Sequence, residues 1–177
     1  MLADYGPYRF RAMAESDAPF VRQLYHATLR EQMPFHLTRI SEPELVALLD
    51  AQLAAQTGHY RDNHPQAEVA IVEHPDGPVA RLIIVEFADE VRLGDIMVVP
   101  AHRRHGLCSY VMDSYVAQGL ATGRAIRLHV EKWNPAVALY RRKRFEVVED
   151  LNSHWLMEFR GDGRPAGTAS DQLKIAS

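Results

Sequence analysis

The chain has 177 residues, 47% of them hydrophobic, and a net charge of −3. That length suits one domain with a sizeable core, and the slight acidity excludes strongly basic nucleic-acid binders and polybasic membrane-surface proteins. Cys108 is the only cysteine, which excludes an internal disulfide and suits a reducing compartment. No apolar run approaches the roughly 18 residues of a membrane span, and no secretion signal opens the chain. We therefore expect a cytoplasmic protein.

The chain begins with a predicted strand and helix. Alternating residues over 8–13 predict the strand. Ser16 is the predicted N-cap of the helix, because a hydroxyl there accepts a hydrogen bond from the first turn. Pro34 and the residues just before it mark the end of that helix.

A second helix is predicted to begin at a capping box. Ser41 and Glu44 have the spacing in which each side chain bonds the backbone N–H of the other residue. Gly58 is interpreted as the end of the helix, since glycine is common just past a helix C-terminus. A polar loop over 59–65 is expected to follow.

Two strands, over 69–72 and 79–87, are predicted to form a hairpin. The turn His74-Pro75-Asp76-Gly77 lies between them, and its Asp-Gly pair suits a backbone with positive φ.

The next segment, residues 91–115, predicts a strand, a basic loop and a helix. Strict alternation places one set of side chains on a single face of the strand: Val91, Leu93, Asp95, Met97 and Val99. Pro100 ends the strand. Helical spacing relates another set in the helix: Leu107, Tyr110, Val111 and Tyr115.

The loop over 102–106 has the properties of an anion site. The first turn of a helix has unpaired N–H groups and the positive end of the helix dipole. Gly106 permits close approach of the backbone, and Arg103 and Arg104 add charged donors. The loop lacks the Gly-Lys-Ser/Thr ending of a P-loop and the further glycines of a Rossmann turn. We therefore expect it to bind a diphosphate of another ligand class.

The remaining chain predicts a strand to residue 130, a helix over 134–143 and strands over 146–149 and 154–160. Asn134 is the predicted N-cap, with Pro135 in the first helical position. Residues 161–177 are rich in Gly, Pro, Ala and Ser, so we expect a tail outside a single domain of residues 1–160.

Two of these segments resemble the GNAT superfamily of acyl-CoA-dependent N-acetyltransferases. Pro100-x-x-Arg103-Arg104-x-Gly106-Leu107-Cys108 resembles its motif A. The run from Asn134 through Leu139 and Tyr140 to Phe145 resembles its motif B. Cys108 stands where glycine or alanine is usual, and Arg144 replaces the glycine before Phe145.

The resemblance implies an α+β (mixed α/β) fold. A mostly antiparallel sheet of six or seven strands would contain one splayed parallel pair, with helices on both faces. A bulge on the motif A strand would free amides for the pantetheine arm. The acyl-CoA would enter between the splayed strands, at their carboxyl ends.

The resemblance also implies which residues contact acetyl-CoA. Backbone of the motif A strand would pair with pantetheine, and the loop amides would hold the pyrophosphate. The predicted cofactor-binding residues are Met97, Val98, Val99, Arg103, Arg104, His105, Gly106, Leu107, Cys108, Ser109, Asn134 and Ala136.

The implied reaction is direct transfer of an acetyl group to a primary amine. Tyr140 would protonate the departing thiolate, because a phenol of pKa about 10 can donate a proton to it. Asp95 and Glu131 are the predicted catalytic carboxylates, and His129 shares the strand face of Glu131; any of the three could deprotonate the amine. A backbone N–H near Val98 would stabilise the oxyanion.

Weaker candidates and alternatives remain beside this interpretation. Gln56, His59 and Tyr60 are weaker candidates for the acceptor cleft. Cys108 at a helix start could act as a nucleophile, although a small packing residue is the favoured interpretation. A non-catalytic CoA-binding regulatory module is the rival from another class, and finding Asp95 and Glu131 turned away from the cleft would favour it.

Other partners are expected to be few. The nine histidines form no zinc-binding sequence pattern, so no metal is expected. We expect a small-molecule or peptide amine as acceptor, no nucleic acid and no membrane, and we leave a homodimer open.

Overall fold

A seven-stranded sheet runs through the described part of the chain, which in this computed structural model comprises residues 2–32 and 40–160. Its strands are β1 (Arg9–Ala12), β2 (Glu68–His74), β3 (Gly77–Glu86), β4 (Glu90–Val98), β5 (Ala125–Glu131), β6 (Phe145–Leu151) and β7 (His154–Phe159). They are ordered β1-β2-β3-β4-β5-β7-β6. Only β4 and β5 are parallel neighbours; the other pairs are antiparallel. The predicted mostly antiparallel sheet with one parallel pair is therefore confirmed.

Helices cover both faces of the sheet, as predicted. They are α1 (Ala18–Gln32), α2 (Glu42–Asn63), α3 (Leu107–Thr122) and α4 (Val137–Arg142). The larger core joins one sheet face to α3 and α4 through buried residues that include Leu107, Val111 and Val137. On the opposite face Leu24 and Tyr25 of α1 pack against Met97 of β4.

The two N-terminal helices test two capping predictions. The capping box of α2 is confirmed, because the Glu44 carboxylate accepts hydrogen bonds from the Ser41 backbone N–H at 3.1 Å and from its hydroxyl at 2.5 Å. The Ser16 prediction is wrong. Ser16 lies inside a short helical turn, Glu15–Asp17, whose cap position belongs to Ala14. The carboxylate of buried Asp17 accepts from the Ala14 N–H, so a longer acidic side chain does the capping that was assigned to the hydroxyl.

The predicted end of α2 at Gly58 is also wrong. The helix continues to Asn63, and the His64 N–H still donates to the Tyr60 carbonyl at 2.9 Å. Residues 59–63 are therefore helical and not a loop. A mid-helix glycine costs only about 1 kcal/mol relative to alanine, and packing of Tyr60 against Gly94 of the sheet compensates for it.

A β-bulge at Gly94 corrects the predicted facing of β4. Leu93 pairs with Ile84 and Asp95 with the adjacent Ile83, so Gly94 is the extra residue. The alternation reverses there: Leu93 contributes to the α3-side core, whereas Met97 packs on α1. Strict alternation had placed these residues on one face, which is wrong because a single inserted residue inverts every later side chain.

The C-terminal elements begin and end close to their predicted positions. Arg144 has a left-handed backbone, with a φ of 65°, in the place where the resembled motif has glycine. The predicted tail, residues 161–177, and Pro34 lie outside the described residues.

Candidate active site

The parallel strands β4 and β5 separate part-way along their length. They pair only from Glu90 to Leu93 on β4 and from Ala125 to Leu128 on β5. Beyond that point a cavity of about 260 Å³ opens between them, on the face covered by α1 and α2. Its polar lining includes Tyr25, Thr28, Gln56, Asp95, His129, Glu131, Asn134, Tyr140 and His154. The predicted catalytic residues Asp95, Glu131 and Tyr140 therefore share one cavity.

The backbone of Val98 is directed into this gap. Val99 donates its N–H to the Val79 carbonyl at 2.9 Å, so Val99 and Val79 are a hydrogen-bonded pair. The adjacent pair, Val98 and Ala80, must then be non-hydrogen-bonded, and the Val98 N–H points away from β3. That orientation suits the predicted oxyanion donor. Both backbone groups of Val99 are occupied, since its carbonyl accepts from the His102 N–H.

The loop before α3 has the predicted geometry of an anion site. Gly106 immediately precedes Leu107, the first residue of α3, with a left-handed φ of 85°. A β-carbon there would lie 2.7 Å from the Tyr5 hydroxyl oxygen, so both backbone and space require glycine. Glycine has no side chain to cap the helix, which leaves the first-turn N–H groups of residues 107–109 for a ligand.

The two arginines of the loop differ in their surroundings. The Arg103 guanidinium donates from Nε to the Val98 carbonyl at 2.8 Å and forms an ion pair with Glu31 of α1. A phosphate bound by Arg103 would have to compete with Glu31. Arg104 and His105 are exposed, and Arg104 has a positive φ of 63°. All three stay predicted cofactor ligands.

Tyr140 lies between the α3 start and the cavity. It packs against the larger core and lines the cavity, as Asp95 does. Burial, first, and then the neighbouring Cys108 and Asp95 raise the pKa of the Tyr140 phenol above its ordinary value. The hydroxyl therefore keeps its proton at neutral pH, which is the state a general acid needs.

Asp95 is tied to a buried arginine. Arg81 of β3 forms an ion pair with the Asp95 carboxylate and donates to the Gln56 side-chain oxygen at 2.6 Å. Asp95 thus lines the cavity already engaged by a cation. Of the cleft candidates, Gln56 lines the cavity, Tyr60 packs beneath Gly94, and His59 is outside the lining.

Glu131 faces a histidine that the sequence analysis did not single out. His154, at the start of β7, pairs with Glu131 across the sheet, and its Nε2 lies 3.9 Å from a Glu131 oxygen. No motif marked His154; its role emerges only from the register of β5 and β7. His129 shares the same face, but burial, followed by Arg92 and His154, lowers its pKa to about 4.

Asn134 and Cys108 are both held by local packing. The Asn134 side-chain oxygen accepts from the Ala136 N–H at 2.9 Å, and this turn precedes α4. The predicted N-cap at Asn134 is two residues too early, because α4 begins at Val137 with Ala136 in the cap position. Burial raises the pKa of the Cys108 thiol, which is the opposite of what an activated nucleophile needs. Leu107 is buried, and Ser109 is partly buried in the first turn.

With this geometry established, the family follows from sequence comparison. The sequence profile of the acetyltransferase (GNAT) family matches residues 26–146, which is more than half of the chain. The chain therefore belongs to the acetyltransferase (GNAT) family and is an acyltransferase. No curated protein sequence matches it at a significant level.

Solved structures share the fold at low sequence identity. PaiA N-acetyltransferase from Thermoplasma acidophilum, in complex with coenzyme A, is 12% identical with a TM-score of 0.64, over 87% of this chain and 99% of that chain. A GNAT-family acetyltransferase from Listeria monocytogenes is 19% identical with a TM-score of 0.56, over 85% and 93%. The yncA protein of Salmonella typhimurium, with its cofactor acetyl-CoA, is 16% identical with a TM-score of 0.55, over 93% and 99%.

The described residues form the four α-helices α1 to α4. None of them combines the length and the apolar character that crossing a membrane requires.

Proposed function

We propose that this acetyltransferase moves an acetyl group from acetyl-CoA directly to a primary amine of a small-molecule or peptide acceptor. The observation that carries the proposal is one cavity between the splayed strands. It is lined by the Tyr140 side chain and by the Glu131–His154 pair, and the Val98 N–H points into the gap. An acid, a base and an oxyanion donor are the three groups that acyl transfer to an amine uses.

The donor site is supported by the loop before α3. Gly106 and the uncapped first turn offer backbone donors to a pyrophosphate, and Arg104 adds a positive charge. Two structural relatives hold CoA or acetyl-CoA. A pantetheine arm that extends from this loop along β4 would bring its thioester to the Val98 N–H.

The proposed reaction proceeds without a covalent enzyme intermediate. Glu131, with His154 beside it, removes a proton from the acceptor ammonium, directly or through water. The amine nitrogen then forms a bond to the thioester carbonyl carbon, and the Val98 N–H stabilises the oxyanion. The C–S bond breaks, and Tyr140 gives its proton to the CoA sulfur. Glu131 is the better base candidate because Arg81 already engages Asp95.

The rival interpretation, a non-catalytic CoA-binding module, would be favoured if Asp95 and Glu131 turned away from the cleft. Both line the cavity. The cavity also offers the buried Thr28 hydroxyl, which has no hydrogen-bond partner within the described part of the chain. A polar acceptor group could supply that partner.

A panel of amines with acetyl-CoA, monitored by thiol release, tests the proposal. We expect release that depends on the amine, together with an acetylated amine in the mass spectrum. Thiol release independent of every amine would indicate a hydrolase. Tight CoA binding without any release across small amines, peptide N-termini and lysine peptides would favour the regulatory module.

The donor site has its own test with a matched control. We expect Gly106→Asp to lower CoA affinity by about a hundredfold or more, because it puts a negative charge against the phosphates. Gly123 ends the same helix at a φ of 72° with no atom near its missing side chain. Gly123→Asp therefore introduces the same residue at a similar backbone angle away from the loop, and should retain CoA affinity. Equal affinities in the two variants, measured by calorimetry, would contradict the site.

A further inference from the structure

A cluster of imidazoles lies outside the cavity, on the far side of the loop before α3. His74 ends β2, Asp76 lies in the turn between β2 and β3, and His102 ends the short helical turn Pro100–His102. Each of the three offers a ligand atom, and these atoms all lie within 4.8 Å of one another. The rings of His74 and His102 have centroids 4.6 Å apart. Among residues 2–32 and 40–160 no other group of three has this arrangement.

We propose that His74, Asp76 and His102 form a binding site for a divalent transition-metal ion of the zinc class, separate from the acetyl-transfer cavity. Two imidazole nitrogens and one carboxylate oxygen are a donor set that Zn²⁺ accepts, and a fourth position would remain open to solvent. Calcium and magnesium prefer oxygen ligands only, so the two nitrogens select against them.

The ligand atoms lie within 4.8 Å of one another, so small side-chain rotations would place them around one ion. Ligand atoms around a tetrahedral zinc lie roughly 3.3 Å apart, given metal–ligand bonds of about 2.0–2.1 Å. His74 Nδ1 lies 2.9 Å from an Asp76 oxygen and accepts from the Asp76 N–H at 3.3 Å, so this pair would have to separate slightly to admit the ion. Asp76 is exposed in a turn, and its side chain can rotate without disturbing the core.

The surroundings of the cluster include a tyrosine hydroxyl and a third imidazole. The buried Tyr8 hydroxyl lies 3.4 Å from His102 Nδ1, which orients that imidazole as partners of metal-ligating histidines do. His105 lies nearby, with its ring centroid 6.3 Å from that of His102. Tyr8, His74, His102 and His105 line one surface depression.

The Asp76 carboxylate indicates that the cluster binds a cation and not an anion. Arginines 103 and 104 are close in sequence, and protonated histidines could join them in binding a phosphate. However, Asp76 lies directly against His74 and would repel an anion at this position. A cation satisfies both the carboxylate and the imidazole lone pairs. Bound there, it would link the β2–β3 turn to the segment between β4 and α3.

Calorimetric titration of the chelator-treated full-length chain with zinc chloride tests the proposal. We expect one saturable site with a dissociation constant in the micromolar range or below. His74→Ala and His102→Ala should each weaken binding by about tenfold or more, and Asp76→Asn should weaken it while retaining side-chain shape. His59→Ala is the matched control, because His59 lies on α2 outside the cluster and should leave zinc affinity unchanged.

Two further measurements distinguish a defined metal site from non-specific binding of zinc to exposed histidines. Cobalt should give the visible bands of a tetrahedral or five-coordinate ion in the wild type and lose them in His102→Ala. Saturating zinc should raise the melting temperature of the wild type by about 5 °C, since a ligand that binds only the folded state stabilises it. Absence of saturable zinc binding in the wild type, wild-type zinc affinity in both His74→Ala and His102→Ala, or loss of binding in His59→Ala would each overturn the proposal.

Discussion

The two ends of the β4–β5 pair carry similar charged residues in different surroundings. At the closed end, where the strands pair, buried Arg127 donates to Glu90 at 2.7 Å and to Glu158 at 2.8 Å. At the open end Asp95 engages Arg81 but still lines a cavity, and Glu131 lies 3.9 Å from His154.

One strand pair therefore has buried, mutually paired charges at one end and a cavity at the other. Charges at the closed end satisfy one another, which a buried charge requires if the fold is to be stable. The carboxylates at the open end, Asp95 and Glu131, line the cavity instead. Gly94, the bulge residue, lies at the boundary between these two ends.

The largest expected effect is loss of stability at the closed end. Arg127→Ala leaves Glu90 and Glu158 buried with a lost partner, and we expect the free energy of unfolding to fall by about 3–5 kcal/mol. Urea denaturation measures this. Arg22→Ala removes an exposed arginine that pairs with Asp50, and should cost no more than about 1 kcal/mol. Similar losses of unfolding free energy in Arg127→Ala and Arg22→Ala would show that the buried ion pairs contribute no more to stability than an exposed one.

At the open end the expected effect is on catalysis and not on folding. Tyr140→Phe retains the packed ring and removes the proposed acid, so turnover should fall by about a hundredfold while CoA affinity is retained. Tyr115→Phe, in the α3 core, should leave turnover unchanged. If CoA affinity fell together with turnover, the Tyr140 hydroxyl would be a cofactor ligand.

Gly94→Ala tests the bulge that lies between the paired and the separated ends of β4 and β5. A β-carbon there would lie 2.5 Å from the Tyr60 hydroxyl oxygen. We expect a destabilisation of about 1–3 kcal/mol from overpacking. Tyr60→Phe in the same chain should recover part of it, and a double-mutant cycle in urea measures the coupling. If the two substitutions lowered the free energy of unfolding additively, the contact between residue 94 and the Tyr60 hydroxyl would not be the cause of the destabilisation.

A smaller effect depends on pH. The pKa of His129 is lowered to about 4 in the folded state, from an ordinary 6.5. Between these values the unfolded chain binds more protons, so this contribution to stability is complete above pH 6.5 and is lost as pH falls toward 4. His129→Gln should reduce the loss of stability between pH 6.5 and pH 4, measured by urea denaturation. His59→Gln should leave the slope as in the wild type.

The smallest expected change is at Cys108. Its thiol is partly buried with a raised pKa, so we assign it to packing. Cys108→Ala should keep turnover within about twofold, as expected for a small packing residue. An acetylated Cys108 peptide in the mass spectrum of a reaction mixture would instead indicate a covalent intermediate.

Local signals in the sequence were sufficient for much of this molecule. The Ser41–Glu44 capping box and the Asp76-Gly77 turn depend on neighbouring residues alone, and the structure confirms both. For the same reason the loop before α3 and the family could be predicted. These features need no knowledge of what packs against them.

Other features depended on contacts between distant parts of the chain. Gly58 has the local character of a helix end, but packing of Tyr60 on Gly94 extends α2 beyond it. His154 carries no motif, and it meets Glu131 only through strand register. The histidine cluster likewise joins His74 and His102, which are far apart in sequence.

The sequence by itself determined the order of the elements and the backbone of the basic loop before α3, and it supplied the candidate catalytic residues, because these follow from local backbone preference and charge. Tertiary structure decided which face each residue occupies. The bulge at Gly94 inverts the second half of β4, so Asp95 and Met97 lie opposite Leu93 and on the cavity side. Whether a strand accommodates an extra residue depends on the strands that pair with it on both sides. The alternation pattern of one strand contains no information about those neighbours.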